Sequence, residues 1–566
     1  MKKFLSTVLV FGLSLALSPI ASGEVPEENF YPSVKQEAGW MGYNADNTIE
    51  YSQPSSLYAQ TSIAYPDPNK RMYVCSSLEA RECTTPEIKW ITFTSVFTTC
   101  ANASSTDCID SFGVRNEDGS FIEGVFERNW NLSPVFTGDK NRFLPTGYGP
   151  STWKLTNSKG QIETYSLNVG VNGSFDLQRN PGKANFDSFF AAIQPVKELA
   201  GANYFGNVAN VTNRADGDGP GSNTYFVEQG CQIVENGRCG YRLSFDLEKT
   251  IVLKVRLSQP VQGWLHGRMK DATISMSTAA DNSQVVEIAA KPLSVPSVYG
   301  WVKWTDLPQK VKDIYPVGNG GTGRSFSDFT TTDLASRTLL AKSEVAGNRA
   351  INEMNLWLPL LKDQAAAMKT FWVAQTIRGE LPFDSSICVR GKGFTGVIGT
   401  NAVVYSDGPP TFDKAEQSLN YTVGASHLDS KGELFKGYYQ LNLRSDVARC
   451  LYGFGSAPIQ AKIEVSSSDG TPTVATTIIN ESDGWLKMTA AGFTFSTPQI
   501  KVKLSQEKAV EVAAATPTPT PSASPTPSPL AKPAAVKKSS ITCVKGKTTK
   551  KVTSTNPKCP TGYKKK

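Results

Sequence analysis

The stretch Ile251-Val-Leu-Lys-Val-Arg-Leu257 decides the fold class, because its residues change character in steps of two. Every second residue from Ile251 to Leu257 is branched and apolar, whereas Lys254 and Arg256 fall between them. A period of two is typical of a β-strand with one face in a core and the other in water. The sequence therefore predicts a β-rich protein.

Similar patterns occur elsewhere in the chain. Ile459-Gln-Ala-Lys-Ile-Glu-Val465 and Ile500-Lys-Val-Lys-Leu504 also alternate, and the stretches 89–97 and 272–276 have the composition of strands. Gly, Pro and Asp residues typical of turns separate these stretches. We predict a mainly β fold of antiparallel β-sandwich-like domains, with a short helical segment, a disordered Pro-rich linker and a small basic tail.

One part of the chain follows a helical period instead. Apolar residues recur every three or four positions from Ile351 to Leu361, which predicts an amphipathic helix packed on a sheet. Pro359 lies inside this pattern and is expected to stop or kink the helix near Leu358. The stretch Asp333–Leu340 is predicted to be helical as well.

The N-terminus has the features of a secretory leader. Lys2 and Lys3 precede an apolar stretch that ends at Leu17, and small residues follow up to Gly23. This order predicts a signal peptide that is cleaved after Ala21 or Gly23. No later segment has the apolar length of a membrane helix, so we expect an extracellular protein with no transmembrane anchor.

Changes of composition along the chain predict its domains. They are a signal peptide at 1–23, a β-rich N-terminal region at 24–325 with room for two subdomains, a helical connecting segment at 326–380, a C-terminal β-sandwich-like domain at 381–507, a Pro/Thr/Ser linker at 508–540 and a basic, Cys-bracketed tail at 541–566.

The ten cysteines fall into neighbouring pairs. An oxidising compartment favours disulfides, and the chain has no close Cys-x2-4-Cys or His-rich cluster of the kind that holds zinc. We therefore predict no metal site and five local bonds: Cys75–Cys83, Cys100–Cys108, Cys231–Cys239, Cys388–Cys450 and Cys543–Cys559.

One of these pairs conflicts with a turn signal. Asn236-Gly237 lies between Cys231 and Cys239 and favours a two-residue hairpin turn. That turn would place Cys231 opposite Arg242, too far from Cys239 for a bond unless a bulge intervenes. We predict the bond, with an odd-length loop centred on Glu235.

Positive charge is concentrated at the C-terminus. The fifty-five residues from Val512 onward contain eleven lysines, no arginine and no acidic side chain. Since the whole chain carries +7 and this part +11, the preceding residues carry −4, or about −6 once Lys2 and Lys3 are removed with the leader. A nucleic-acid-binding surface on the acidic body is therefore not expected.

The tail lysines are the predicted binding residues, with an anionic cell-envelope polymer or another polyanion as partner. They are Lys545, Lys547, Lys550, Lys551, Lys558, Lys564, Lys565 and Lys566. Between body and tail, the stretch 515–533 contains seven prolines. An extended polyproline chain of that length is a semi-rigid spacer of about 60 Å.

No motif in the chain indicates a cofactor or a catalytic residue. Gly318–Ser325 nearly matches a phosphate-binding loop but has Arg324 in place of lysine, and both it and Gly391–Gly396 satisfy the weak G-x-G-x-x-G pattern. Asp216–Asn223 resembles the start of a calcium loop without the EF-hand ligands, which leaves a surface turn or another type of calcium site. The only histidines, His266 and His427, are not accompanied by a nucleophile motif.

Several stretches together resemble a group of uncharacterised secreted proteins of actinobacteria with a Cys-bracketed, Lys-rich C-terminal tail. They are the Cys75/Cys83 and Cys100/Cys108 doublets, Gly263–Arg268, Leu443–Phe454, Asp483–Leu486, Gly492–Phe495 and the tail from Ile541 to Lys566. The resemblance implies export and architecture and carries no activity.

Two classes of function follow. The first is a secreted, cell-envelope-associated binding or structural protein whose tail contacts anionic wall polymers. The alternative is an exported carbohydrate-active enzyme that uses paired carboxylates in the β body, with the plentiful aromatic residues stacking on sugar rings. A third hypothesis is that the tail binds extracellular nucleic acid through its phosphates.

Overall fold

The computed structural model describes residues 27–30, 35, 37–47, 55–62, 71–131, 135–157, 159–177, 182–201, 230–235, 237–279, 283–315, 338–343, 345–377, 387–389, 391–413, 415–456, 459–466, 476–495, 499–506, 539–545, 548–554 and 557–565. The predicted leader, the Gly318–Ser325 and Asp216–Asn223 loops, residues 508–538 of the predicted linker, Lys547 and Lys566 lie outside these residues. The chain divides into two compact units, Met1–Lys508 and Ala509–Lys566, which are described separately below as the body and the tail unit.

The body consists mainly of β-strands, as predicted. In chain order the strands are β1 Trp40–Ala45, β2 Ser56–Gln60, β3 Met72–Val74, β4 Trp90–Val96, β5 Cys108–Arg115, β6 Phe121–Glu123, β7 Val125–Asn129, β8 Ser151–Thr156, β9 Ile162–Asp176, β10 Asn185–Ala200, β11 Cys231–Glu235, β12 Arg238–Arg242, β13 Thr250–Leu257, β14 Gly263–Arg268, β15 Lys270–Thr278, β16 Gln284–Lys291, β17 Leu293–Lys303, β18 Leu339–Lys342, β19 Ala367–Thr376, β20 Phe394–Thr400, β21 Val404–Tyr405, β22 Thr411–Asp413, β23 Ser418–Gly424, β24 Lys436–Arg444, β25 Ile459–Ser466, β26 Thr476–Ser482, β27 Trp485–Thr494 and β28 Gln499–Gln506. The α-helices are α1 Gln309–Asp313, α2 Asn348–Trp357 and α3 Ser445–Tyr452, and 3-10 turns cover Glu27–Asn29, Arg81–Cys83, Lys140–Arg142, Trp304–Asp306 and Leu358–Leu361.

A long sheet runs through the body in the order β2-β4-β9-β10-β19-β14-β20-β24-β27-β26. A five-stranded sheet, β15-β16-β13-β5-β6, packs against one part of it. The predicted alternation in β13 is observed, because Leu253 and Val255 are buried in this first core while Lys254 and Arg256 are only half-buried. Burying a branched side chain contributes about 1.5–3 kcal/mol, so this pattern determines which face of the strand turns inward.

A second core lies on the other part of the long sheet. It joins β20, β24 and β27 to a smaller sheet, β21-β23-β28-β25, and to helix α2. The predicted strands 459–465 and 500–504 are β25 and β28 of this smaller sheet. The predicted class of sandwich-like, mainly antiparallel sheets is therefore confirmed, although β14 pairs with β20, and β1 with β18, in parallel.

Helix α2 forms where the apolar period predicts it. Met354 and Trp357 are buried, and Pro359 lies in the 3-10 turn that follows the helix. The helix is fastened through Glu353, which accepts hydrogen bonds from the hydroxyls of Ser343 and Tyr315. A polar cluster that is satisfied in this way keeps the helix in one orientation on the sheet.

The second helix prediction is wrong at its C-terminal end. The pattern of Asp333–Leu340 predicts a helix, but Leu339–Lys342 is strand β18, and residues 333–337 lie outside the described part. β18 pairs with β1, so the backbone groups of this short apolar run are satisfied by a neighbouring strand. A short apolar run does not distinguish the two structures by its period.

The five predicted disulfides are present, and the described residues include no free cysteine. The Cys231–Cys239 hairpin, however, differs from the predicted odd-length loop. Glu235 pairs with Arg238, so the turn has two residues, and a bulge after Cys231 places that residue opposite Tyr241. The predicted loop centred on Glu235 is therefore wrong: the bulge shifts the register by one residue and brings the two Cα atoms to 5.6 Å.

Buried polar contacts tie Glu28 and Asp46, near the start of the described chain, to strands β12 and β19. The Glu28 carboxylate lies 2.6 Å from Arg242 and accepts the Thr370 backbone N–H at 3.0 Å. Beside it, Lys369 Nζ lies 2.6 Å from Asp46 Oδ2, and both of these side chains are 2% exposed. The segment that follows the predicted leader is therefore part of the packed body.

Candidate functional site

The tail unit contains a three-stranded antiparallel sheet. Its strands are β29 Ser539–Lys545, β30 Thr548–Ser554 and β31 Lys564–Lys565, in the order β30-β29-β31. Cys543 in the central strand is fully buried and bonded to Cys559. The bond closes the segment between β30 and β31 against the sheet, so a short lysine-rich chain has a defined surface.

The register places the lysines on both faces of this sheet. Cys543 is opposite Lys550 on one side and Lys565 on the other, so these residues share a face. Lys551 and Lys564 pair with the neighbours of Cys543 and therefore lie on the opposite face. At about 4.8 Å between strands, the Cα atoms of Lys550 and Lys565 are separated by about 10 Å.

The described tail lysines are exposed. They are Lys545, Lys550, Lys551, Lys558, Lys564 and Lys565. Lys550 Nζ lies 5.7 Å from the centre of the Tyr563 ring, and no acidic side chain occurs after Glu511. Like charges that face each other across a sheet repel, so the tail unit holds positive charge that a bound polyanion would neutralise.

The two histidines occupy different surroundings. His266 is buried in β14 and its ring stacks on Tyr405, with centroids 3.7 Å apart. His427 donates its backbone N–H to Asp363, and its Nδ1 lies within hydrogen-bond distance of the Phe495 carbonyl oxygen. Both rings are thus held by packing or by backbone groups, which suits a structural role.

The position of His266 predicts how stability depends on pH. Burial holds its pKa well below the usual value near 6.5, and the charge of Arg268 acts in the same direction. Below pH 6.5 the histidine of the unfolded chain binds a proton that the native ring does not, so this residue makes stability fall as the pH falls. His266→Phe should gain stability relative to the wild type by about 1.4 kcal/mol per pH unit below 6.5. Urea unfolding between pH 7.5 and 4.5 measures this difference, and parallel curves would contradict it.

The second G-x-G-x-x-G stretch does not have the geometry of a phosphate-binding loop. Gly391 and Gly393 have positive φ angles, and the chain then enters strand β20 instead of a helix. A phosphate cradle requires the N–H groups at the start of a helix. In the part of the chain that the structure describes, no cluster of three or more acidic, histidine or cysteine side chains could hold a metal, and no helix is long and apolar enough to cross a membrane.

The body contains a cavity of about 450 Å³ beside the Cys100–Cys108 loop. Four separate parts of the chain form its walls: the loop itself with the residues around it, the segment from Gly138 to Tyr148, Ser258, and Ser283. Seven of the sixteen lining residues are serine or threonine, and one, Asp107, has a carboxyl group. The carboxylate pair that a glycoside hydrolase requires is thus not supplied by this lining.

Asp107 is positioned by its neighbours. It directly precedes the bonded Cys108, has a left-handed backbone with φ 57°, and accepts the Ser258 backbone N–H at 2.8 Å. Burial raises the pKa of Asp107 to about 6, against the opposing effects of hydrogen bonds from Ser258 and the charge of Lys140. Asp107 was not among the residues predicted to form a site, because its partners lie far away in sequence.

No protein-family model matches the chain, and no curated protein is significantly similar to it.

Proposed function

We propose that the protein is a secreted, cell-envelope-associated binding or structural protein whose tail unit contacts anionic wall polymers. The carrying observation is the small sheet closed by Cys543–Cys559, whose described lysines are exposed and whose sequence lacks any acidic side chain. The disulfides are consistent with an oxidising compartment and hence with export.

A polymer suits this surface better than a small anion does. The lysines that the described sheet carries lie on both of its faces, and the Cα atoms of Lys550 and Lys565 are about 10 Å apart, so their placement does not converge on a single phosphate or carboxylate. A flexible chain of repeating negative charges can contact several lysines at once, and each such ammonium near an anionic surface contributes about 1 kcal/mol. Nucleic acid is also a chain of repeating negative charges, so it is the competing candidate partner.

The alternative, a carbohydrate-active enzyme, receives less support. The described cavity has one carboxyl group in its lining, whereas hydrolysis uses two that are about 5–10 Å apart. We therefore propose a binding role rather than a hydrolytic one for this cavity.

Cell fractionation tests the proposal. Deleting residues 512–566 should move most of the protein from the envelope fraction to the medium, because the +11 segment is lost while the acidic body remains. The summed amount in both fractions controls for export and folding. Unchanged retention on envelopes at low salt would contradict the anchoring role.

A further inference from the structure

The cavity beside the Cys100–Cys108 loop combines three features that a binding site needs. The disulfide holds the loop, Asp107 accepts the Ser258 backbone N–H, and Tyr148 lines the cavity while 37% of that residue remains exposed. The volume of about 450 Å³ lies within the range of small-molecule sites, about 300–1,000 Å³.

We propose that this cavity binds a neutral saccharide of one or two rings, with Asp107 accepting hydrogen bonds from ligand hydroxyls and Tyr148 stacking on a sugar face. This site lies in the body and does not depend on the lysines of the tail unit.

The charge of the lining favours a neutral ligand. Asp107 and Lys140 are its acidic and basic residues, and together they carry no net charge when both are ionised. Lys140 is exposed, so water competes for its ammonium group, and a charged ligand gains little from it. A strongly anionic ligand would be repelled by the Asp107 carboxylate, and a strongly cationic ligand by the Lys140 ammonium group.

The hydroxyl side chains favour a polyhydroxylated ligand. Pockets for drug-like molecules are lined mainly by apolar groups, whereas nearly half of the residues here are serine or threonine. A hydroxyl group both donates and accepts, as do the hydroxyls of a sugar, and the carboxylate oxygens of Asp107 accept from them. An amino acid would use mainly the two charged residues and leave most of this surface unmatched.

Of the two aromatic residues in the lining, Tyr148 is the better candidate for stacking on a ligand. Phe143 is half-buried and Lys183 Nζ lies 4.7 Å from its ring centre, so that ring already has a partner. Tyr148 is the more open ring. An exposed aromatic face with a polar tip suits a ligand that has one apolar face and a polar rim.

We expect ionised Asp107 to favour ligand binding while it lowers the stability of the ligand-free protein. Because its pKa is raised to about 6, the native state binds its proton more tightly than the unfolded state does, and stability contributed by the protonated form is lost as the pH rises through 6. Asp107→Asn should therefore raise the melting temperature at pH 7.5 while it weakens ligand binding. Opposite effects on stability and binding are expected of a binding residue and not of a structural one.

Titration of the full-length protein at pH 7.5 tests the proposal. The probes are glucose, N-acetylglucosamine, maltose, cellobiose and chitobiose. Their binding is measured by saturation-transfer NMR and by calorimetry. We expect at least one probe to bind the wild type, and Asp107→Ala and Tyr148→Ala each to weaken it by about tenfold or more. Asp483→Asn is the matched control, because Asp483 has a similar left-handed backbone at φ 55° but is not part of the lining.

Three results would overturn the proposal. They are the absence of binding for all five sugars, binding that both Asp107→Ala and Tyr148→Ala leave unchanged, and binding of lysine or glutamate in place of the neutral sugars. Tyr148→Ala changes a partly exposed side chain, so it keeps the test informative if an Asp107 variant fails to fold. Loss of envelope retention without loss of sugar binding would affect only the role of the tail unit.

Discussion

Asp46→Ala is expected to lower the free energy of unfolding by about 3–5 kcal/mol. Lys369 Nζ lies 2.6 Å from Asp46 Oδ2, and both side chains are 2% exposed. Burial lowers the pKa of Lys369, and the Asp46 carboxylate opposes that shift. Removing Asp46 would leave the ammonium buried next to Arg242 without its nearest negative charge, which is far more costly than losing a surface pair.

Chemical denaturation of three variants measures this effect. Asp46→Ala should be strongly destabilised, while the double variant Asp46→Leu/Lys369→Met should return close to wild-type stability, because a buried pair replaced by apolar groups avoids the desolvation cost. Glu416→Ala is the matched control: its carboxylate pairs with Lys501 at 2.9 Å but is 44% exposed, so we expect a loss of at most about 1 kcal/mol. Similar losses for Asp46→Ala and Glu416→Ala would contradict the interpretation.

Replacing the six described tail lysines with glutamine is expected to weaken binding to a soluble anionic wall polymer by roughly 10⁴-fold. The residues are Lys545, Lys550, Lys551, Lys558, Lys564 and Lys565. Binding of a flexible polyanion releases counterions, with a slope of log K against log salt of about −0.7 for each contact. The magnitude of that slope should therefore fall by about four when all six contacts are lost.

Fluorescence anisotropy at several salt concentrations measures both quantities. The matched control replaces six exposed lysines of the body with glutamine: Lys89, Lys159, Lys197, Lys310, Lys431 and Lys436. Two smaller variants, Lys545/Lys550/Lys565 and Lys551/Lys564, separate the two faces of the tail sheet, and losses in proportion to the charges removed indicate that both faces take part. Equal losses in the body control, or an unchanged slope in the six-lysine tail variant, would contradict a specific role for the tail unit.

Local patterns predicted much of the fold. The alternation in β13 and the helical period before Pro359 each reflect burial of one face, which is visible in consecutive residues. The disulfides were predictable because the cysteines fall into neighbouring pairs, three of which share one spacing. The bulge after Cys231 is harder to predict, because it inserts one residue into the ladder without a distinctive residue type.

Features that join distant segments were not predictable from local patterns. Strands from the three segments separated by composition, 24–325, 326–380 and 381–507, neighbour one another in the long sheet, as β14, β19 and β20 do. The Asp46–Lys369 pair and the contact of Asp107 with Ser258 likewise link residues more than one hundred positions apart. A single sequence does not indicate which charged residue of one segment meets which residue of another.

Binding to isolated cell envelopes before and after chemical extraction of their anionic polymers tests the central claim most directly. We expect the full-length protein to bind intact envelopes, to lose most of that binding on extracted ones, and to be displaced by added wall polymer more effectively than by DNA of equal charge. The six-lysine tail variant should bind neither preparation. Equal binding of the full-length protein to intact and extracted envelopes would contradict the claim that the tail unit holds it on an anionic wall polymer.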